Sequence, residues 1–188
     1  MEGYARHFGS VSLGDLDDYF AGRWSKPVPG LIPVLYEGFR DAVDVMVPIL
    51  EEFGFVGWLF VPSHFPNVPV AEQRSFAAAN SLYPARTDEY PGERMTLSWD
   101  EAREVAKRHV FACHSRTHSK IDPDTDPAIL HDQIVVAKAE IEEGIGVEVS
   151  SFAWLYGTEA GVNPVADRML VEAGFKYLFS NFKIQKLK

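Results

Sequence analysis

Two histidines stand four residues apart in the segment HVFACHSRTHSKI, which begins at His109. Imidazole is a common ligand of zinc and other transition metals. On a helical turn, residues four apart point to the same side, so His114 and His118 could place two ring nitrogens on one ion. Histidine pairs at this spacing also occur as two ordinary loop residues. The segment therefore supports a metal site as a hypothesis and leaves the structural interpretation open.

Glu37 is the carboxylate that could complete such a site. It directly follows the apolar run at 31–36, just as His114 follows the apolar run at 109–113. Two histidines and one carboxylate can hold a metal ion and leave positions open for water and substrate. Glu37 could instead be an acidic residue favoured near a helix N-terminus by the helix dipole.

Aromatic residues stand at the ends of two apolar segments. Tyr36 precedes Glu37, and Trp154 and Tyr156 end the segment SSFAWLY. These side chains could contact a substrate, or they could close the end of a barrel as core residues. The remaining reactive side chains are expected to be structural, in a loop, in a buried strand or on a helix surface: His64, His109, Cys113 and His131.

The elements that must position these residues alternate between strands and helices. Buried strands are expected at 31–36, 55–61, 109–113, within 147–156 and at 175–180. Helices are expected at 40–54, from Ser98, at 126–144 and at 163–174, with glycine at several ends. Pro48 predicts a kink or a late start in the first of these helices. The polar stretch 62–97 is long enough to be a functional lid or a mobile loop.

Capping residues mark several of these helices. Ser98 and Glu101 form a capping box in SWDE. Asp126 is the expected N-cap of the third helix, with Pro127 in its first turn and Gly144 as its end. Strand–helix alternation implies parallel strands, either in an open sheet or in part of a barrel. Active sites in such folds lie at the C-terminal strand ends, which is where the polar residues fall.

The bulk composition excludes several classes of function. The 188 residues are 46% hydrophobic and 24% charged, which is typical of a globular domain. Eighteen basic and 27 acidic residues give a net charge of −9, which argues against nucleic-acid or anionic-membrane partners. One cysteine excludes an internal disulfide. With no signal-peptide or transmembrane pattern, we expect a cytoplasmic protein or a secreted one that lacks its leader, without membrane insertion.

The order of these motifs resembles the polysaccharide deacetylase family (NodB homology domain, carbohydrate esterase family 4). HSRTH resembles the family's H-[ST]-x-x-H metal motif, and LSWDEAREVAKRHVFAC is similar to the approach to it. SSFAWLYG and LVEAGFKYLFS are similar to the family's Tyr-Pro-aromatic-Gly and Ala-Gly-Phe segments. PVLYEGFRDAVDVMVPILEEFGFVGWLFV is similar to its opening strand, helix and strand.

The resemblance implies an α/β fold, a distorted and incomplete (β/α) barrel, with residues 1–188 forming one domain. It implies hydrolytic removal of acetyl groups from a carbohydrate with a divalent metal, commonly zinc. His114 and His118 match the metal histidines of the family. Glu37 falls on its metal aspartate and Tyr36 on the aspartate that acts as base.

The chain departs from the family pattern at the position of the catalytic base and in its C-terminal part. A tyrosine with an ordinary pKa of about 10 is a poor base at neutral pH, so Glu37, Asp41 or Glu93 would have to serve. The late Leu-x-His motif of the family is not found before Lys188, so the barrel is either shortened or diverged there. Two alternatives remain open: a catalytically degenerate carbohydrate-binding domain, and a metal-independent hydrolase of ring amides that uses Glu37.

Overall fold

A curled sheet of six strands organises the computed structural model, which describes residues 1–84, 90 and 92–187. The strands in spatial order are β3 (Val34–Tyr36), β4 (Trp58–Val61), β5 (Val110–Cys113), β6 (Ser151–Ala153), β7 (Tyr177–Phe179) and β8 (Ile184–Lys186). The first five are parallel and β8 pairs antiparallel with β7. The expected α/β fold, an incomplete barrel of mainly parallel strands, is confirmed.

The strand at 31–36 is divided in two. Gly30–Leu31 forms β2 and pairs with β1 (Gly9–Ser10), whereas β3 begins only at Val34. Pro33 separates them, and a proline has no N–H to donate to a neighbouring strand. The second strand is also shorter than expected, because it begins at Trp58 and not at residue 55.

Some elements were not expected from the sequence. The N-terminal segment forms α1 (Glu2–His7) and α2 (Leu13–Phe20), and Ser12 and Asp15 form a capping box at the start of α2. The antiparallel strand β8 was also missed. Residues 62–97, expected to be a long loop, contain a 3-10 turn at Phe65–Asn67 and the helix α4 (Val70–Ala79). The part of the lid expectation that concerns 85–89 and 91 lies outside the described residues.

Two of the expected helices contain a π-helical turn. The first runs as a π turn, Ala42–Met46, into α3 (Val47–Glu52), with Pro48 in its first turn. The third consists of α6 (Pro127–His131), a π turn at Asp132–Val136 and α7 (Ala137–Ile145). The helix α5 (Trp99–Val105) has the expected Ser98 cap, and Asn163 caps α8 (Pro164–Glu172).

Gly144 does not end the third helix, contrary to expectation. It lies within α7, and the left-handed residue that ends the helix is Gly146, with a φ of 76°. A Cβ at Gly144 would lie 2.2 Å from Cε3 of Trp99. The glycine is therefore required for close packing of α7 against α5, and not for a turn.

Alternate residues of the strands pack into two cores. Leu59, Val61 and Phe111 face the helices on the outside of the sheet. Trp58 and Phe60 face the inside of the curl, where Leu16 of α2 packs against them. All of these side chains are buried. Burial on both faces holds the strand ends, and the loops that follow them, in fixed positions. Among the described residues, no helix combines the length and apolar character needed to cross a membrane.

Candidate functional site

A cavity of about 500 Å³ lies at the C-terminal ends of the parallel strands. All six residues singled out from the sequence line it: Tyr36, Glu37, His114, His118, Trp154 and Tyr156. The structure therefore brings together loops that follow β3, β5 and β6, which are separated by up to 120 positions in the chain. Four further residues also line the cavity: Ser81, Tyr83, Leu155 and Asn181.

The two histidines lie in an irregular loop and not on a helical turn, contrary to the spacing argument. Ser115 and His118 both adopt left-handed backbone, with φ of 59° and 57°. This conformation is unfavourable for residues with a side chain and persists only where the surroundings enforce it. The two imidazole ring centroids lie 5.1 Å apart, and both residues are buried. The loop therefore brings the rings together without helical geometry.

Each imidazole uses its Nδ1 to reach a backbone carbonyl. His114 Nδ1 lies 2.9 Å from the Ala153 oxygen, and His118 Nδ1 lies 2.9 Å from the Asn80 oxygen. A carbonyl only accepts, so each Nδ1 must carry the proton. Each ring then keeps an unprotonated Nε2. Metal-binding histidines are oriented by the same kind of hydrogen bond.

Burial favours the neutral form of both rings. It lowers the pKa of His114 to about 3, with a smaller contribution from the nearby His118, while the hydrogen bond to Ala153 acts in the opposite direction. Burial also lowers the pKa of His118, against the hydrogen bond to Asn80. Both rings are therefore neutral at physiological pH, which is the state that can coordinate a metal.

Glu37 lies in the turn after β3 and also has left-handed backbone, with a φ of 69°. Its Oε1 lies 3.8 Å from His118 Nε2, and its carboxylate accepts a hydrogen bond from the Tyr83 N–H. Burial raises the pKa of Glu37, only partly opposed by that hydrogen bond. The partly buried carboxylate thus lies beside the unprotonated nitrogen of one histidine.

Three aromatic residues border the histidines. The Tyr36 ring centroid lies 5.8 Å from that of His114, and the Tyr156 hydroxyl lies 3.4 Å from His118 Nδ1. Both tyrosines are more than half exposed. Trp154 is buried, and its indole N–H has no hydrogen-bond partner among the described residues. Its ring packs against Phe152 in the core outside the sheet, so the indole nitrogen is not accessible from the cavity.

The donor set suits a divalent metal, although its arrangement is incomplete. Two neutral imidazoles with free Nε2 atoms and one carboxylate are appropriate ligands. Within the described part of the chain, no three histidine, cysteine or acidic side chains are close enough together to form a metal cluster. The separation of 3.8 Å between Glu37 and His118 exceeds by a few tenths of an ångström the roughly 3.4 Å expected for tetrahedral ligands with bonds of about 2.1 Å.

The two other acids suggested as bases lie elsewhere. Asp41 lines a separate, smaller cavity, and Glu93 forms an ion pair with Arg40 at 2.8 Å. Among the described residues that line the main cavity, Glu37 is the acidic one. Cys113 is buried in β5, His131 is exposed on α6, and His64 lines a separate cavity. His109 is held directly before β5, because its Nδ1 accepts from the Gly57 N–H and its Nε2 contacts Glu51.

Sequence reasoning missed the contribution of the segment after α4. Asn80 supplies the carbonyl that orients His118, and Ser81 and Tyr83 line the cavity. The sequence signal was limited to the length of the polar stretch 62–97. Asn181, in the turn between β7 and β8, was missed because β8 was not expected.

Comparison with solved structures shows the fold of polysaccharide deacetylases. The deacetylase domain of BpsB from Bordetella bronchiseptica is 16% identical with a TM-score of 0.71, over 93% of this chain and 72% of that one. IcaB from Ammonifex degensii is 20% identical with a TM-score of 0.67, and the match covers 95% of this chain and 72% of that one. The resemblance noted in the sequence is confirmed at the level of the fold.

A third similar structure is a mutant of a CE4 family pseudoenzyme with restored enzymatic activity. It is 10% identical with a TM-score of 0.51, over 79% of this chain and 43% of that one. No protein-family model matches the chain, and no curated protein sequence matches it either. The same fold therefore occurs in deacetylases and in a pseudoenzyme.

Proposed function

We propose that this chain is a metal-dependent hydrolase that removes acetyl groups from a carbohydrate by cleaving an amide or ester bond. The observation that carries the proposal is the orientation of the two histidines. Both donate from Nδ1 to a carbonyl, and both line the cavity that also contains Glu37. Two neutral imidazoles and a carboxylate that line one cavity form a suitable donor set for a divalent metal.

In this proposal, His114, His118 and Glu37 hold the metal, which is zinc or a similar divalent ion. A bound divalent ion polarises a carbonyl and lowers the pKa of water. Glu37 also serves as the catalytic base, since it is the acid among the described residues that line the cavity.

The walls of the cavity suit an uncharged sugar. No lysine or arginine is among the described residues that line it. Tyr36 and Tyr156 expose ring faces and hydroxyls, which can pack against and hydrogen-bond to a sugar ring. An acetylated carbohydrate, or a small amide, is therefore the proposed partner.

A second candidate function is carbohydrate binding without catalysis. Tyr36 occupies the position at which the resembling family has its base, and one similar structure derives from a pseudoenzyme. This candidate predicts binding of acetylated sugars with no acetate release. The third, a metal-independent hydrolase of ring amides, predicts turnover that survives chelators.

The test compares zinc content and acetate release in the wild type, in His114→Ala and in the control His131→Ala. His131 is exposed on α6, so its replacement should change neither quantity. We expect near-stoichiometric zinc and acetate release in the wild type and in the control, and neither in His114→Ala. Acetate release that persists in His114→Ala would contradict the metal-dependent scheme. Metal without acetate release from any acetylated sugar would favour the binding function.

A further inference from the structure

The middle of the loop that carries both histidines is held by a buried side chain that lies outside the cavity. Gln133, in the π turn between α6 and α7, is only 6% exposed. Its Oε1 accepts from the N–H of Arg116 at 3.0 Å and from the N–H of Thr117 at 3.0 Å. It also lies 3.3 Å from the Thr117 hydroxyl. One amide oxygen thus gathers three donors from the middle of the loop.

The loop requires such support because its own conformation is unfavourable. Ser115 and His118, on either side of the two residues that Gln133 holds, both have left-handed backbone. Each such residue costs on the order of 1–3 kcal/mol unless the surroundings impose it. Without an acceptor, the N–H groups of Arg116 and Thr117 would also be left unpaired against the helix.

The π turn supplies a second contact to the same loop. Arg116 binds Asp132 at 3.1 Å and Glu140 at 2.9 Å, so its side chain is fixed by acids on both sides of Gln133. Asp132 and Gln133 are neighbours in the π turn, and both reach the loop. Single π turns within helices are often found at functional sites, where they redirect side chains.

We infer that Gln133 is a positioning residue, which fixes the loop so that both imidazoles keep Nδ1 on a carbonyl and Nε2 free. Gln133 acts through the backbone of the loop and does not line the cavity. As far as metal binding is concerned, the inference rests on the proposed function. The orientation of the imidazoles can be measured without metal, so the two can be tested separately.

The experiment compares Gln133→Met, which removes the acceptor at similar volume, with Gln133→Glu, which keeps an acceptor oxygen. The matched control is Gln73→Met, since Gln73 is also buried and its side-chain oxygen accepts from the Met95 N–H at 2.7 Å, outside the histidine loop. In metal-free protein, ¹⁵N NMR of the imidazoles reports which ring nitrogen carries the proton. Zinc affinity is then measured by competition with a chromogenic chelator.

We expect both histidines of the wild type, of Gln133→Glu and of Gln73→Met to be protonated at Nδ1 alone. Gln133→Met should show averaged imidazole signals and bind zinc about 10–100-fold more weakly, as is usual for loss of an outer partner of a metal ligand. Should Gln133→Met fail to fold, Gln133→Asn, which withdraws the acceptor by one methylene, takes its place.

A folded Gln133→Met with imidazole signals like those of the wild type would overturn the inference. So would an equal change in Gln73→Met, because the effect would then follow from general loss of stability. If the wild type binds no zinc but Gln133→Met still alters the imidazole signals, the proposed function fails and the positioning role stands.

Discussion

Tyr36 and Glu37 are adjacent in the chain but differ in what they can do to a proton. Partial burial raises the pKa of the Tyr36 phenol above its already high ordinary value, so the group stays protonated at neutral pH. It can donate a hydrogen bond but cannot accept a proton from water. In our proposal Glu37 must therefore both bind the metal and transfer the proton. In the resembling family, two aspartates divide these tasks.

We expect Tyr36→Asp to raise the rate of acetate release. A carboxylate at this position would take over proton transfer and leave Glu37 to the metal. A positioned general base typically contributes 10²–10⁴-fold, so an increase in kcat of about tenfold or more is expected. Steady-state kinetics on an acetylated oligosaccharide or an aryl acetate checks this.

Tyr36→Phe is the control for this experiment. It removes the hydroxyl and keeps the ring, which contacts Phe60 and His114. Its kcat should match that of the wild type, and the loss of the hydroxyl's contact with the sugar should appear as a higher KM. A fall in kcat in Tyr36→Phe comparable to the fall in a Glu37 variant would show that the phenol takes part, contrary to our argument.

At the scale of elements, the turn after β3 is held by the strand and loop beside it. Gly38 has a φ of 67°, and its carbonyl accepts from the Leu97 N–H and the Thr96 hydroxyl. A Cβ at Gly38 would lie 3.1 Å from Val61 Cγ1. Glu37 directly precedes Gly38 and has a similar φ of 69°. The position of the Glu37 carboxylate therefore depends on how closely this turn approaches β4.

We expect Gly38→Ala to destabilise the protein and weaken zinc binding together. The left-handed backbone costs an alanine about 1–2 kcal/mol. The added Cβ would also press against Val61 and displace the turn that carries Glu37. Urea unfolding and zinc titration measure the two effects. Gly54→Ala is the control, because Gly54 has a φ of 73° but no atom within 4 Å of the added Cβ.

Gly54→Ala should lose a similar free energy of unfolding through its backbone alone, with zinc affinity unchanged. Equal zinc affinity in Gly38→Ala and in Gly54→Ala would refute the dependence of Glu37 on this turn.

Elements with strong local signals were predictable from the sequence. The capping box at Ser98 and Glu101 marked the start of α5, and apolar runs marked five of the six strands of the main sheet. Gly144 was misread because a packing glycine and a terminating glycine look the same in a sequence. β8 is short and partly exposed, so the sequence has no apolar run there that would predict a strand.

The sequence allowed us to predict which residues meet at this cavity, but not the orientation of their side chains. Polar residues after parallel strands meet at one edge of a sheet, and this rule correctly gathered Glu37, His114 and Trp154 into one cavity. The orientation of the rings depends on the carbonyls of Asn80 and Ala153 and on Gln133. These are contacts between distant segments, for which a single sequence contains no spacing rule.

At the scale of the whole molecule, the buried neutral histidines couple the site to global stability. The fold keeps His114 at 3% exposure, between the strand ends, in a form that cannot readily take up a proton. The unfolded chain has no such restriction, and its histidines titrate near pH 6.5. Acid therefore favours the unfolded chain, in addition to any effect on metal binding.

We expect metal-free protein to lose stability as the pH falls below about 6.5. The folded-state pKa of His114, about 3, is lower than its unfolded value, so between these limits unfolding takes up a proton. The stabilisation is present above pH 6.5 and declines toward pH 3, by about 1.4 kcal/mol per pH unit for this group. The raised pKa of Glu37 acts in the opposite direction and is present in every variant compared.

His114→Gln isolates the histidine contribution, because glutamine does not titrate. Urea unfolding of both proteins with a chelator present, at steps from pH 7.5 to 4.5, gives two curves of unfolding free energy against pH. The wild-type curve should fall more steeply below pH 6.5, so that the difference between the proteins shrinks as acid is added. Parallel curves would mean that His114 takes up its proton in the folded protein, and that the fold does not hold the ring neutral.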